Sequence, residues 1–262
     1  MIDFAEGSLR LSIEDRLATI TLHQPRKRNA INLAMWTALP EILDAILRSP
    51  AKIVILRGAG DHFAAGADIS EFETVFADRT TAAAYAETMA RGLDALARFE
   101  LPTLAMIDGD CIGAGVSIAL ACDIRLASVS ARFAITPAKL GLMYSLADTK
   151  RLVDLVGPAV AREMLFTARI RLAADAKAIG LIDEIHEPAA LEAAVIAKAQ
   201  LIASNSPWSV RKAKTVIAMI LDGVTTETDA TRAGFADAVE GEDYREGFQA
   251  FGEKRPPNFS GQ

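Results

Sequence analysis

Two turns built from glycine and alanine carry the chemistry-bearing pattern of this chain. The first is Phe63-Ala64-Ala65-Gly66-Ala67-Asp68-Ile69. The second runs Gly109-Asp110-Cys111-Ile112-Gly113-Ala114-Gly115-Val116-Ser117 and continues to Cys122-Asp123. Each follows an apolar run and opens a helix. Small side chains let a ligand approach the main chain closely, and the orphan N–H groups at a helix start favour negative charge. Two such turns can aim two backbone N–H groups at one point, which is the architecture of an oxyanion hole. An oxygen that becomes anionic there is stabilised, and losing one donor typically costs about 2.7–4 kcal/mol of that stabilisation. A single small-residue turn is also an ordinary link between packed elements, so the pair carries the reading and neither turn does alone.

The elements that must position these turns are legible around them. Residues 52–57 (Lys-Ile-Val-Ile-Leu-Arg) and 103–107 (Thr-Leu-Ala-Met-Ile) are short apolar runs closed by glycine, the pattern of buried strands. Residues 9–14 and 17–22 alternate around Asp15 and predict a hairpin; residues 125–127 and 132–135 predict further short strands. Helical patterns cover residues 33–48, 82–99, 152–166, 173–178, 189–203, 207–221, 225–239 and 243–251, with Pro207 at a tolerated first-turn position. The expectation is an α/β protein. An α/β core over residues 1–190 carries the turns, and a helical region over residues 191–262 follows.

Both turns, in this order, resemble those of the crotonase superfamily, the enoyl-CoA hydratase/isomerase family. The resemblance runs along nearly the whole chain. Pro25-Arg26-Lys27-Arg28-Asn29-Ala30-Ile31-Asn32 is similar to the family's early Asn-Ala-Leu segment. Leu140-Gly141-Leu142, Thr149-Lys150-Arg151-Leu152 and Leu155-Val156-Gly157 match its next block. Ala173-Ala174-Asp175-Ala176 with Gly180-Leu181-Ile182-Asp183 is similar to its Ala-x-x-Ala…Gly-Leu-Val signature, and residues 246–255 look like its C-terminal helix. The resemblance implies a crotonase-like ββα spiral core and a C-terminal helical subdomain that covers the active site and joins homotrimers or dimers of trimers. It implies an acyl-CoA substrate of the kind met in fatty acid metabolism, with coenzyme A present only as part of that substrate and no separate cofactor. The oxyanion donors carried over are the backbone N–H groups of Ala67 and Ala114; Ala65, Asp68 and Ile69 are candidate substrate contacts. Alanine at Ala114, where the family usually has glycine, still supplies an N–H if its φ is unstrained.

The departures bear on the reaction. Hydratases of the family place two glutamates at positions matching Ser117 and Ala138, and several isomerases place an aspartate at a position matching Ser145. None of the three is a carboxylate here. Hydrating an enoyl thioester requires water to be deprotonated and carbon to be protonated, and positioned carboxylates do that work. An unactivated serine is a poor base. Tyr144 matches a tyrosine of the methylmalonyl-CoA decarboxylase branch, although that branch has histidine where this chain has Ala67. Tyr144 is either a catalytic hydroxyl, with Ser145 next in line, or a packing residue tied to main chain. Asp148 is either a relocated acid/base or a helix N-cap. The reaction expected is enolate formation from a CoA thioester, as a decarboxylase, isomerase or hydrolase. The alternatives are an enoyl-CoA hydratase with relocated acid/base groups and a non-catalytic acyl-CoA-binding paralogue.

Arg26, Lys27 and Arg28 are either a solvated turn or contacts to the nucleotide phosphates of coenzyme A, which favour Arg and Lys. Lys254 is the candidate to reach the same nucleotide from a neighbouring tail. Composition agrees with a globular enzyme: 262 residues, 51% of them hydrophobic, with a net charge of −6 that argues against nucleic acid as a partner. Cys111 and Cys122 read as reduced core thiols. His23, His62 and His186 lack metal-ligand spacing, His62 being expected on the surface. No apolar stretch reaches membrane-span length and no leader pattern opens the chain, so a cytoplasmic protein without a membrane partner is the expectation.

Overall fold

The computed structural model describes residues 1–261. Ten strands, β1 (Ile2–Phe4), β2 (Leu9–Glu14), β3 (Leu17–Leu22), β4 (Ile53–Gly58), β5 (Thr103–Ile107), β6 (Asp110–Ile112), β7 (Ile124–Ser128), β8 (Arg132–Ala134), β9 (Arg171–Leu172) and β10 (Glu184–His186), form two sheets among the described residues. The larger has the order β1-β2-β3-β4-β5-β7-β10, and the smaller β6-β8-β9. The helices are α1 (Leu33–Leu47), α2 (Phe72–Val75), α3 (Arg79–Ala97), α4 (Ala114–Ala121), α5 (Leu146–Thr167), α6 (Ala173–Ala178), α7 (Pro188–Ala203), α8 (Pro207–Leu221), α9 (Asp229–Ala238) and α10 (Glu242–Glu253). The expected hairpin is present in register, Leu9 opposite Leu22 and Glu14 opposite Leu17. From β3 onward the large sheet is parallel. Successive passes put one strand in the large sheet and the next in the small one, as β5-β6 before α4 and β7-β8 before α5, which is the expected ββα winding.

Strand periodicity explains why this sheet is buried on both faces. In β4, Val54 and Leu56 join the main core, which also holds buried residues of α1, α3 and α4. Ile53 and Ile55 point the other way, into a second cluster with Leu191, Val195 and Ala199 of α7. Strand β5 repeats the alternation, with Ala105 and Ile107 on one side and Leu104 and Met106 on the other. Side chains alternate across a strand with period two, so continuous apolar runs are what a sheet covered on both faces requires.

This packing moves the expected division of the chain. Residues 190 and 191 both lie inside α7, and α7 packs on β3, β4, β5, β7 and β10. The helix belongs to the core layer, and the helical tail begins at Pro207. That tail is held to the core by polar contacts: Lys214 Nζ reaches Asp123 Oδ2 at 2.7 Å, and Lys52 Nζ donates to Phe259 O at 3.1 Å. Its helices present Ile217, Ile220, Phe235, Phe248 and Phe251 to solvent. No helix among the described residues is long and apolar enough to cross a membrane, and no group of three or more His, Cys, Asp or Glu among them is placed to hold a metal ion.

Candidate active site

Main-chain bonds fasten the two turns together. Phe63 N donates to Asp108 O at 2.7 Å, Ala64 N to Asp110 O at 2.9 Å, and Ile112 N to Ala64 O at 2.9 Å. The first turn is thereby laid along β6, immediately before the second turn. On its other side, Ile31 N donates to Gly66 O at 2.8 Å and Asp68 N to Ile31 O at 2.9 Å. Gly66 (φ 113°) and Gly113 (φ 51°) take backbone conformations that side chains disfavour. A Cβ on Gly113 would stand 3.9 Å from the Cα of Gly66, so the two turns meet back to back at their glycines. Ala67 N–H and Ala114 N–H donate to no described residue. Ala114 is the first residue of α4 and is not among the residues with positive φ, so alanine there is unstrained. Unpaired N–H groups at a helix start carry partial positive charge and suit an oxygen that gains negative charge.

Behind the second turn lies a buried polar chain. Ser117, one helical turn beyond Gly113, is 2% exposed, and its N–H donates to Gly113 O at 3.1 Å. Tyr144 is 9% exposed; its hydroxyl donates to the same carbonyl at 2.8 Å and accepts from Ser117 Oγ at 3.0 Å. Burial pushes the phenol well above its ordinary range, so it remains protonated. Its one proton is directed at main chain.

The cap role weighed for Asp148 falls to Ser145. The cap of α5 is Ser145, whose Oγ accepts from Asp148 N at 3.0 Å and donates to Asp148 Oδ2 at 2.8 Å. With that cap the helix starts at Leu146, ahead of the apolar period that begins at Leu152. Asp148 sits in the first helical turn, 1% exposed, with Arg151 Nη1 at 3.3 Å from Oδ1. Burial raises its pKa, against the opposing pull of Ser145, Arg151 and Ser117. Ala138 lies exposed on a 3-10 turn, Pro137–Leu140. The three positions that the resemblance matches to carboxylates hold a buried serine, an exposed alanine and a serine that caps a helix.

The basic segment lies against the first turn, since Ala65 N donates to Arg28 O at 2.9 Å. Lys27 Nζ meets Asp68 Oδ2 at 2.6 Å, and Arg28 Nη1 meets Asp110 Oδ2 at 3.3 Å; both cations remain largely exposed. Arg26 is exposed and has no ion pair among the described residues. Asp68 is buried; its Oδ1 accepts from Ser70 N at 3.1 Å, and its pKa is lowered because Lys27 and Ser70 outweigh burial. Its carboxylate is thus spent on the turn itself, whereas Ile69 projects into solvent. Lys254 ends α10 in left-handed conformation and forms no bond to residues 26–28 within the chain.

Two positioning residues escaped the sequence reading. Asn29, fully buried at φ 57°, donates its amide to Ala59 O at 2.8 Å and His62 O at 2.6 Å, tying the basic segment to the end of β4. Asparagine is among the few side chains that tolerate this region. Asp110 receives Arg132 Nη2 at 2.6 Å beside Arg28, with His62 Nδ1 at 3.4 Å. His62 is accordingly half-buried, not on the surface as expected. Only the β6–β8 register, which sets Asp110 opposite Arg132, brings these residues together, and no spacing announces it. Both cysteines are buried and free, with Cys122 pushed up to about 12 by burial. A cavity of about 90 Å³ beside Arg57, His62, Asp108 and Glu192 includes none of the site residues.

The profile of the family described as Enoyl-CoA hydratase/isomerase matches residues 12–262. The chain is 32% identical over 262 residues to the crotonyl-CoA hydratase of Syntrophomonas wolfei, covering 97% of this chain and 98% of that protein. Among solved structures, an enoyl-CoA hydratase/isomerase family protein from Hyphomonas neptunium superposes with a TM-score of 0.95 at 41% identity, over 97% of this chain and 98% of the other. An enoyl-CoA hydratase/carnithine racemase from Magnetospirillum magneticum does so with a TM-score of 0.94 at 36% identity, over 97% and 96%.

Proposed function

As this chain belongs to the enoyl-CoA hydratase/isomerase family, we propose that it binds an acyl-CoA with the thioester oxygen between the N–H groups of Ala67 and Ala114 and stabilises the enolate that forms there. Decarboxylation of a malonyl-type thioester suits the site best. The bond between Cα and the carboxylate breaks, its electron pair enters the enolate, carbon dioxide leaves, and a solvent proton completes the product. That step needs the two donors but no base. The observation that carries the reading is the lack of an accessible carboxylate at Ser117, Ala138 and Ser145, with Asp148 caged by Ser145 and Arg151. Such a pocket also avoids repelling the substrate's own carboxylate. Isomerisation and thioester hydrolysis draw on the same enolate or oxyanion stabilisation.

A second reading, enoyl-CoA hydration, is favoured by the named activity of the Syntrophomonas relative and by the buried carboxyl of Asp148, with Ser117 among the groups that favour its charged form. In it, Asp148 acts as the relocated acid/base through Ser117. Arg26, Lys27 and Arg28 would meet the nucleotide of coenzyme A, joined by Lys254 of a neighbouring subunit. The exposed apolar faces of the tail support a homotrimer or dimer of trimers. The reading calls for no cofactor beyond the coenzyme A of the substrate.

The test is turnover on malonyl-, methylmalonyl- and ethylmalonyl-CoA beside crotonyl-CoA. Carbon dioxide release without enoyl loss supports the first reading. Loss of the enoyl group alone supports the second. Binding of every thioester without turnover makes the chain a non-catalytic acyl-CoA-binding paralogue.

A further inference from the structure

We infer that Tyr144 is a positioning residue for the oxyanion hole, acting through the Gly113–Ala114 peptide without touching substrate. The inference rests on reading Ala114 N–H as an oxyanion donor. The carbonyl that Tyr144 holds at 2.8 Å belongs to the same peptide unit as that N–H. A peptide is one resonance unit, so a donor on its oxygen draws electron density from its nitrogen and strengthens the N–H as a donor. Hydrogen-bond chains polarise one another in this way by perhaps 10–30% per bond. The chain here runs from Ser117 Oγ to the Tyr144 hydroxyl, then through Gly113 C=O to Ala114 N–H.

Orientation adds to polarisation. Gly113, at φ 51° and ψ −112°, occupies a region that offers no steric preference of its own for this peptide plane. Two bonds fix it instead: Ser117 N to Gly113 O at 3.1 Å, and the phenol. The first is a main-chain bond of the fold, and the preceding peptide is held separately by Gly113 N to Ala134 O at 2.8 Å. The phenol alone comes from a side chain, carried by the loop between the 3-10 turn and α5. Its burial keeps it protonated, so it has a proton to give at every working pH.

The experiment compares the native protein with Tyr144→Phe by two readouts. In the ligand-free protein, selective ¹³C labelling reports the carbonyl shift of Gly113. With [1-¹³C]acetyl-CoA bound, isotope-edited infrared difference spectra report the thioester C=O stretch. The expected result is an upfield move of the Gly113 carbonyl in Tyr144→Phe and a return of the thioester stretch toward its value in free acetyl-CoA. On any substrate that turns over, kcat should fall about tenfold with KM nearly unchanged, a fraction of the 10²–10³ that follows loss of a whole donor. A Gly113 carbonyl that does not move overturns the inference, as does a thioester stretch shifted equally in both proteins. A stretch unshifted in both, with the Gly113 carbonyl still moving, leaves the inference standing for the peptide and removes the oxyanion reading. Should Tyr144→Phe not fold, 3-fluorotyrosine can replace the three tyrosines of the chain, giving a more acidic phenol that must move the Gly113 carbonyl the opposite way.

Discussion

Gly115 and Ala64 are in direct contact across the two turns: a Cβ on Gly115 would lie 2.5 Å from the carbonyl oxygen of Ala64 and 3.0 Å from its Cβ. The N-terminal turn of α4 therefore rests on the first turn, and the spacing between the two candidate donors is set by the absence of one methyl group. Backbone on both sides leaves nothing flexible to yield. Gly115→Ala should push the turns apart and destabilise the fold by about 1–3 kcal/mol, the usual range for overpacking. Acyl-CoA turnover should fall further than the lost stability accounts for. Gly234→Ala in α9 is the control, because a Cβ there meets nothing within 4 Å; it should stabilise by about 0.5–1 kcal/mol. Chemical denaturation of both variants checks the pair, and a Gly115→Ala protein of native stability and activity would refute the contact.

The basic segment gives a prediction about which end of the substrate it meets. Arg26 has no ion pair among the described residues, and the neighbouring Lys27 and Arg28 are held against Asp68 and Asp110 yet still reach solvent. If these cations face the nucleotide phosphates, Arg26→Ala and Arg28→Ala should each raise KM for a CoA thioester by about tenfold, since hydrogen bonds to charged groups contribute roughly 1.5–3 kcal/mol. The same variants should treat the matching N-acetylcysteamine thioester, which lacks the nucleotide, as the native protein does. Equal losses on both substrates would place the effect on the turn and not on the phosphates.

Much of this arrangement was readable in the sequence because it depends on local pattern. Strand alternation at Ile53 to Leu56 and glycine at Gly66 and Gly113 report demands that each residue meets by itself. The apposed turns followed from those glycines, and the ββα winding followed from the resemblance. What escaped depends on pairing across distance. Asp110 meets Arg132 only through sheet register, and Asn29 reaches Ala59 and His62 only because the loop before α1 folds onto the end of β4. The start of α5 was missed for a different reason. The cap pair Ser145 and Asp148 lies ahead of the apolar period, so periodicity alone places the helix too late. Tyr144 was legible as a residue of interest, but its partner, the Gly113 carbonyl at the start of α4, was not.

The two positions that the resemblance matches to glutamates differ in what they can accept. Ala138 is exposed on its 3-10 turn, whereas Ser117 is enclosed and bonded to Tyr144. Native crotonyl-CoA hydration should lie several orders of magnitude below that of a glutamate-bearing relative, because each general acid–base group contributes about 10²–10⁴-fold. Ala138→Glu should fold normally and raise hydration. Ser117→Glu should lose more than about 2 kcal/mol, since a carboxylate would be forced into the space and the hydrogen bonds now shared by Ser117 and Tyr144. Hydration by the native chain at the level of ordinary hydratases would overturn the first part and promote Asp148. A stable Ser117→Glu protein would show that α4 has more room than its burial indicates.

The last prediction concerns Asp148 and pH. Burial dominates its environment and raises its pKa above 3.8, although Ser145, Arg151 and Ser117 favour the charged form. The folded protein therefore keeps the proton to higher pH than the unfolded chain does. Where the folded pKa is the higher one, the linked stability is fully present below the unfolded value and is lost as pH rises through the folded value. Asp148 should thus cost stability progressively as pH climbs from about 4 toward neutrality, by about 1.4 kcal/mol for each unit separating the two pKa values. Asp148→Asn is neutral at all these values and keeps an oxygen to accept from Ser145 Oγ. The difference in unfolding free energy, variant minus native, should rise with pH across that window and level off once the native carboxyl has ionised. Urea unfolding at pH 4, 5, 6 and 7 on both proteins measures it, and subtraction removes the titration of every other group. A flat difference would mean that burial and the hydrogen bonds cancel. A difference that falls with pH would mean that the Arg151 ion pair and the hydrogen bonds outweigh burial.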